Sequence, residues 1–222
     1  VRWRYGDAGD RIPVTVGDVW RVGEHVLACG DLELGAGLDL ADRYGPADLA
    51  YADPPWTPSL ATGFRTKAGL PRQVDFGRLL LAVVEAIDRS GAPVAYIEMG
   101  RDYVDRLADI LAERGREVDR YAITYYGRHP AWLLRASTTL DDPPRMPGVL
   151  DDADTPAWAI EAEGRPALVF DPCIGRGLTA IAAARAGVRV LGLDLNPRRL
   201  AVAIDRLARL SGLAPELIDR LQ

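Results

Sequence analysis

Two short clusters hold the residue types from which chemistry can be built. The first, Asp53-Pro54-Pro55-Trp56, sets a carboxylate, a proline-stiffened carbonyl and a flat indole within four positions. The Asp53 carboxylate and the Pro54 carbonyl oxygen can each accept one N–H of a planar amine, drawing its lone pair out of ring conjugation and toward an electrophile. Pro54 has no N–H of its own to compete for those acceptors, and Pro55 stiffens the loop. Trp56 offers a face for a heterocycle; such stacking contributes roughly 1–3 kcal/mol per base, comparable with the few kcal/mol needed to extrude a base. The second cluster is Asp171-Pro172-Cys173-Ile174-Gly175-Arg176-Gly177. Gly175 and Gly177 permit a tight turn and the close approach of a ligand, with the free N–H groups of a helix beginning at Leu178 behind them.

Each cluster has a plainer reading. Asp53-Pro54-Pro55-Trp56 can be a strand terminator over a buried Trp, and the two glycines can simply end a strand. Gly175-Arg176-Gly177-Leu178-Thr179-Ala180 also fits the Gly-x-Gly-x-x-Ala dinucleotide fingerprint, which keeps a dehydrogenase in view. Leu193-Asp194-Leu195-Asn196-Pro197 follows about 20 positions later, placing a carboxylate where it can accept hydrogen bonds from both hydroxyls of a ribose. NAD and S-adenosylmethionine share such a site. Hydride transfer, however, leaves Asp53-Pro54-Pro55-Trp56 without a task.

The elements that must position these clusters follow from periodicity. Val26 to Cys29 and Asp48 to Ala52 read as strands, the latter stopped by the two prolines. Residues 57–76 show no sustained period and carry Arg65, Lys67 and Arg72, so they are expected to form a basic loop. Leu79, Leu80, Val83, Val84 and Ile87 recur at helical spacing before a buried strand from Ala92 to Met99. Tyr103, Leu107, Ile110 and Leu111 share a helical face that ends at Gly115. Tyr121 to Tyr126 and Ala131 to Ser137 then flank a Gly127-Arg128-His129-Pro130 turn as an antiparallel hairpin. Asp141 to Pro156, rich in Asp and Pro, is expected to be a solvated, flexible connector. The last third alternates strand Ala167 to Phe170, helix Leu178 to Ala186 and strand Val188 to Leu193, then helices near Pro197 and Pro215. Strands separated by helices imply a mostly parallel sheet covered on both faces, with ligands at the carboxyl ends of its strands. Both clusters follow strands.

Composition narrows the class. The chain has 222 residues with 48% apolar and 27% charged content, which excludes wholesale disorder and fibrous repeats. Its net charge of −5 argues against a large phosphate footprint and confines any nucleic-acid contact to a local basic surface. Two cysteines, Cys29 and Cys173, form neither a disulfide framework nor a zinc ligand set, which fits a reducing, cytoplasmic setting. No apolar run approaches the roughly 18 residues of a membrane span. Val1-Arg2-Trp3-Arg4 lacks the apolar run and cleavage site of a signal peptide, and the absent initiator Met points to trimming.

Taken together, these motifs resemble the amino-methylating DNA methyltransferases, the N6-adenine/N4-cytosine family. Their catalytic motif is Asp/Asn/Ser-Pro-Pro-Tyr/Trp/Phe and their cofactor loop Asp-Pro-Phe/Cys-x-Gly-x-Gly. Catalytic before cofactor motif is similar to the permuted β order of that family, and Val26-Leu27-Ala28-Cys29-Gly30-Asp31 is similar to its Gly-Asp segment. The resemblance covers residues 20–210 and implies an α/β, doubly wound, mostly parallel seven-stranded sheet with one antiparallel hairpin. It implies S-adenosyl-L-methionine as cofactor and no metal. Asp31 would hold the cofactor's adenine, Asp194 the ribose, and the backbone around Asp171, Pro172, Cys173, Gly175 and Gly177 the methionine portion, with Asn196 also among the cofactor-binding residues. Asp53, Pro54, Pro55 and Trp56 would handle the target amine. Asp at the first catalytic position resembles the adenine-N6 branch more than the cytosine-N4 branch, where Ser is frequent.

The chain is expected to be one domain, with a catalytic half at 20–138, an acidic connector at 139–165 and a cofactor half at 166–222. That connector leaves no room for the family's target-recognition domain, and Asp154-Thr155-Pro156-Ala157-Trp158 stands where the family often has His-Pro-Thr-x-Lys-Pro. Arg65, Lys67 and Arg72 are the candidate substrate contacts. The expected partner is nucleic acid, DNA ahead of RNA, with a homodimer or an accessory subunit supplying the missing recognition surface. Tyr125 and Tyr126, with Trp132, are read as bracing the hairpin, one ring being able to face a target base. Arg198 and Arg199 are read as solvated charges. Cytosine N4, RNA or a nucleotide as target, and a non-catalytic subunit, are the alternatives.

Overall fold

The computed structural model describes residues 11–71 and 75–221, so Val1-Arg2-Trp3-Arg4 and Arg72 lie outside the described residues. In chain order the strands are β1 (Asp18–Val22), β2 (His25–Cys29), β3 (Leu49–Ala52), β4 (Val94–Met99), β5 (Glu117–Tyr125), β6 (His129–Ser137), β7 (Leu150–Asp151), β8 (Leu168–Asp171), β9 (Arg189–Asp194) and β10 (Glu216–Arg220). The α-helices are α1 (Ala36–Tyr44), α2 (Pro58–Lys67), α3 (Phe76–Arg89), α4 (Val104–Glu113), α5 (Thr155–Ala162), α6 (Leu178–Ala186) and α7 (Pro197–Ser211).

Among the described residues, ten strands join one sheet in the order β10-β1-β2-β9-β8-β3-β4-β6-β5-β7. The seven inner members, β2 to β5 in that order, correspond to the expected seven-stranded sheet. The count is ten because β1 and β10 extend one edge antiparallel and β7 adds two residues to the other. The predicted helix after Pro215 is instead β10. Gly212 ends α7 in the left-handed conformation, and the five residues that follow Pro215 pair with β1. Ion pairs from Arg21 to Glu216 and Arg220 to Asp18 fasten that edge.

The expected basic loop also contains a helix. Thr57 caps α2 by accepting from the Leu60 N–H, and Pro58 occupies its first turn. Only Ala61 of α2 is buried, so no apolar stripe announces it. Similarly, the expected flexible connector contains β7 and α5, whose Thr155, Pro156, Ala159 and Ile160 are buried.

Helices cover both sheet faces. On one, α3 buries Leu80, Val83, Val84 and Ile87 and α4 buries Leu107 and Leu111 against Ala50, Ala52, Ala95 and Ile97. On the other, Ala180, Leu200, Ile204 and Leu207 of α6 and α7 pack with Leu27, Leu49, Val169 and Val190. Fully burying such an aliphatic side chain stabilises by roughly 1.5–3 kcal/mol. Strand alternation sends Leu49 and Tyr51 to one face and Ala50 and Ala52 to the other, and residue 53 therefore faces the same way as Tyr51.

Candidate active site

Strands β2, β9, β8 and β3 are consecutive and parallel, so their carboxyl ends share one edge of the sheet. Asp31, Asp194, Asp171 and Asp53 stand at or just past those four ends. A cavity of about 620 Å³ opens there, lined by the whole of Asp53-Pro54-Pro55-Trp56 and by Asp31, Pro172, Cys173, Asp194 and Asn196. The two clusters identified in the sequence therefore face a common space. Asp171, Gly175 and Gly177 are not among its lining residues.

At the turn after β3, the Trp56 Nε1–H donates to Asp53 Oδ1 at 3.0 Å. Gly100 makes room for that indole: a Cβ there would lie 3.0 Å from Trp56 Cε3. Burial pushes the Asp53 carboxyl up to about 6, and the charge of Asp152 acts in the same direction, while Arg199 and the Trp56 hydrogen bond oppose it. Pairing of Tyr51 with Tyr96 and Ala52 with Ile97 sets Glu98 beside Asp53, on the same sheet face. Glu98 is buried; its Oε1 accepts from the Tyr51 hydroxyl and from Thr155 Oγ1 at 2.8 Å, and its Oε2 has no partner. Burial first, then the Asp53 charge, raises the Glu98 carboxyl well above its usual range. Two adjacent desolvated carboxyls do not both ionise readily, and the charge of one raises the other.

On the other wall, the Asn196 N–H donates to Asp194 Oδ1 at 2.7 Å, and Asp194 Oδ2 lies 3.7 Å from Arg199 Nε. The Asn196 side chain is committed to capping α7, accepting from the N–H groups of Arg198 and Arg199. Asp171 accepts from the Cys173 N–H at 2.8 Å, which holds the loop, and burial pushes its carboxyl up to about 7. Asp31 accepts from the Glu33 N–H at 3.0 Å and from Arg65 Nη1 at 2.8 Å. Burial raises the Cys173 thiol well above its ordinary value, which suits a packing residue rather than a nucleophile.

The basic residues are placed differently from expectation. Arg65 lines the cavity, but α2 turns it inward, where Nη1 bridges Asp31 and Glu33 at 2.8 Å each. Lys67 is exposed outside the cavity, 5.8 Å from the Phe64 ring centre. Arg199 is not solvated: it lines the cavity with its guanidinium carbon 4.6 Å from the Phe64 ring centre. Gly175 makes that pose possible, since a Cβ there would lie 2.5 Å from Arg199 Nη2. Sequence reasoning also gave no role to Glu98, Phe64 or His129. Tyr125 packs on Trp56 with ring centres 4.6 Å apart, and Tyr126 and His129 join it along the cavity.

No protein-family model matches the chain, and no curated protein matches it by sequence. Solved structures do share its fold. The PvuII DNA methyltransferase, cytosine-N4-specific, superposes with a TM-score of 0.63 at 14% identity, over 82% of this chain and 86% of its own. M1.HpyAVI in complex with SAM gives 0.58 at 14% identity, over 82% and 98%. TTHA0409 of Thermus thermophilus, assigned as a DNA modification methylase and complexed with S-adenosyl-L-methionine, gives 0.55 at 20% identity, over 83% and 93%.

Proposed function

We propose that this protein is an S-adenosylmethionine-dependent methyltransferase acting on an exocyclic amine of a nucleobase, adenine N6 in DNA first. The observation that carries the reading is the single cavity onto which both Asp53-Pro54-Pro55-Trp56 and the Pro172, Cys173 and Asp194 wall open. Its volume lies within the range of sites for ligands of that size. Apolar Leu32, Leu79 and Leu195 line it together with the carboxylates of Asp31 and Asp194, apolar surface and hydrogen-bond acceptors suited to a nucleoside. Asp194, held by the backbone N–H groups of Asn196 and Gly175 with Arg199 beside it, is the cavity carboxylate placed to accept from ribose hydroxyls. Structures of fold relatives complexed with the same cofactor support the assignment. The bound cofactor supplies an electrophilic methyl group on a sulfonium, and no metal is required.

The chain's own residues supply alignment. Ionised Asp53 accepts one amine N–H and the Pro54 carbonyl accepts the other, aiming the nitrogen lone pair across the cavity. Trp56, held by its bond to Asp53 and by the space at Gly100, supplies the stacking face. After transfer, the Asp53 carboxylate would take the surplus proton from nitrogen, the cofactor leaving as a neutral thioether. Asp53 lines the cavity and Glu98 does not, which leaves Asp53 as the acceptor.

Cytosine N4 is the second reading, favoured by the likeness to the cytosine-N4-specific PvuII enzyme. Incubation with labelled cofactor and defined DNA and RNA, followed by mass spectrometry of the nucleosides, separates the readings: N6-methyladenine supports the first, N4-methylcytosine the second. No methylated amine in any nucleoside refutes both.

A further inference from the structure

Tyr126 stands at the tip of the β5–β6 hairpin with φ of 54° and 68% of its surface exposed. A bulky residue rarely adopts this left-handed backbone, and turn chemistry alone favours Gly or Asn there. The conformation is nevertheless held firmly. The Tyr126 N–H donates to Asp152 Oδ1 at 3.0 Å and the Gly127 N–H to Asp151 Oδ1 at 2.6 Å. Those carboxylates arrive on the last residue of β7 and the residue after it, and β7 pairs with β5 through Thr124 and Asp151. The side chain is thus exposed on a strained backbone that is nevertheless held in place, a combination that stability does not explain.

Its surroundings indicate what the ring meets. The Tyr126 and Tyr125 ring centres are 4.4 Å apart, those of Tyr125 and Trp56 are 4.6 Å apart, and Trp56 is bonded to Asp53. Three rings therefore lead from the exposed rim of the cavity to the catalytic carboxylate. Arg128 in the same turn and His129 at the start of β6 are exposed, and Arg128 forms no ion pair among the described residues. The net charge of −5 leaves little general attraction for phosphates, so affinity for a nucleic acid must come chiefly from base faces. Those faces are accessible in an unpaired strand.

We propose that Tyr126 is a stacking platform for the nucleotide next to the one methylated, with Arg128 on its phosphate, and that the preferred substrate is an unpaired DNA strand. This rests on the methyltransferase reading above. Trp56 and Tyr125 serve the target base inside the cavity, whereas Tyr126, at the rim, serves its neighbour.

The test compares the parent with Tyr126→Gly, which removes the ring and relieves the left-handed strain, and with Tyr126→Phe, which keeps the ring. Methyl transfer to a short single strand and to the matching blunt duplex is measured alongside thermal melting and the anisotropy of a labelled single strand. The parent is expected to favour the single strand. Tyr126→Gly is expected to melt no lower than the parent and to raise KM and Kd for that strand about tenfold, the loss of one base stack. Tyr126→Phe is expected to recover the parent values. If the parent transfers methyl groups and Tyr126→Gly binds and reacts like it, or if the duplex is preferred, this inference is overturned while the functional reading stands. If the parent transfers methyl groups to nothing, the functional reading fails and the inference with it.

Discussion

Replacing Asp53 with Asn separates function from stability in a way that only a desolvated, functional carboxylate permits. Burial raises the Asp53 carboxyl from its usual 3.8 to about 6. Between those values the folded chain holds a proton that the unfolded chain has released, so stability falls as pH rises through that window. The difference, about 2.2, corresponds to about 3 kcal/mol at pH above 6. This figure is a ceiling, because Asp53 opens onto the cavity and its water. Asn cannot ionise, and its side-chain oxygen can still accept from Trp56 Nε1. Asp53→Asn should therefore gain as much as about 3 kcal/mol over the parent near pH 7.5 and almost nothing near pH 4. Methyl transfer should be lost at both. Urea unfolding followed by tryptophan fluorescence across that range provides the assay. A variant less stable than the parent at pH 7.5, or a gain independent of pH, would refute the reasoning that ionising Asp53 strains this fold.

Arg199 is the leading influence holding the Asp53 carboxyl down. Arg199→Met, assayed at saturating cofactor, should move the acid limb of the pH–rate profile upward by about one unit, since a neighbouring cation lowers a carboxylate by 1–3 units. At pH 6 the ionised fraction would fall from about a half to about a tenth, a roughly fivefold loss of rate that recovers at higher pH. An unmoved limb contradicts the placement of that charge. Gly177 has φ of +80°, and a Cβ there would lie 3.0 Å from Ala203 Cβ and 3.2 Å from its Cα, whereas Gly187 has φ of +72° and open space. Denaturant unfolding should give about 1–2 kcal/mol lost for Gly187→Ala, from strain alone. Gly177→Ala should lose about 1–3 kcal/mol more, from overpacking. Equal losses would remove the close approach of α6 and α7 from the account. Asp194→Ala should weaken calorimetric binding of S-adenosylmethionine by at least about tenfold, the worth of charge-assisted hydrogen bonds to a ribose, while an unaltered affinity would move the ribose elsewhere.

The chemistry-bearing turns were legible because two independent signals coincided at each: unusual residue types and a position just past an apolar run. Asp53 after Asp48 to Ala52, and Asp194 after Val188 to Leu193, needed only strand periodicity to be sent to one sheet edge. The edge strands were not legible. β7 has two residues and β10 five, and each exists through a partner distant in sequence. Helix α2 lacked an apolar stripe, although Thr57-Pro58 was a start signal that could have been used. Arg199 sits in the cavity because Gly175 leaves space and Phe64 offers a face, a coincidence of three segments that no local pattern encodes. Glu98 was the readable omission: a lone acid within the apolar strand Val94–Met99, with the facing parity of Asp53.

The central claim is that donor and acceptor meet in one cavity, and a pulse–chase of the preloaded complex tests it most directly. The protein is loaded with methyl-labelled S-adenosylmethionine, then mixed at once with single-stranded DNA and a large excess of unlabelled cofactor. The account predicts that label already bound to the parent appears on a base amine, while Asp53→Asn retains its bound label and transfers none. Label lost wholly to the chase by the parent, or transferred equally by the Asp53 variant, would contradict it.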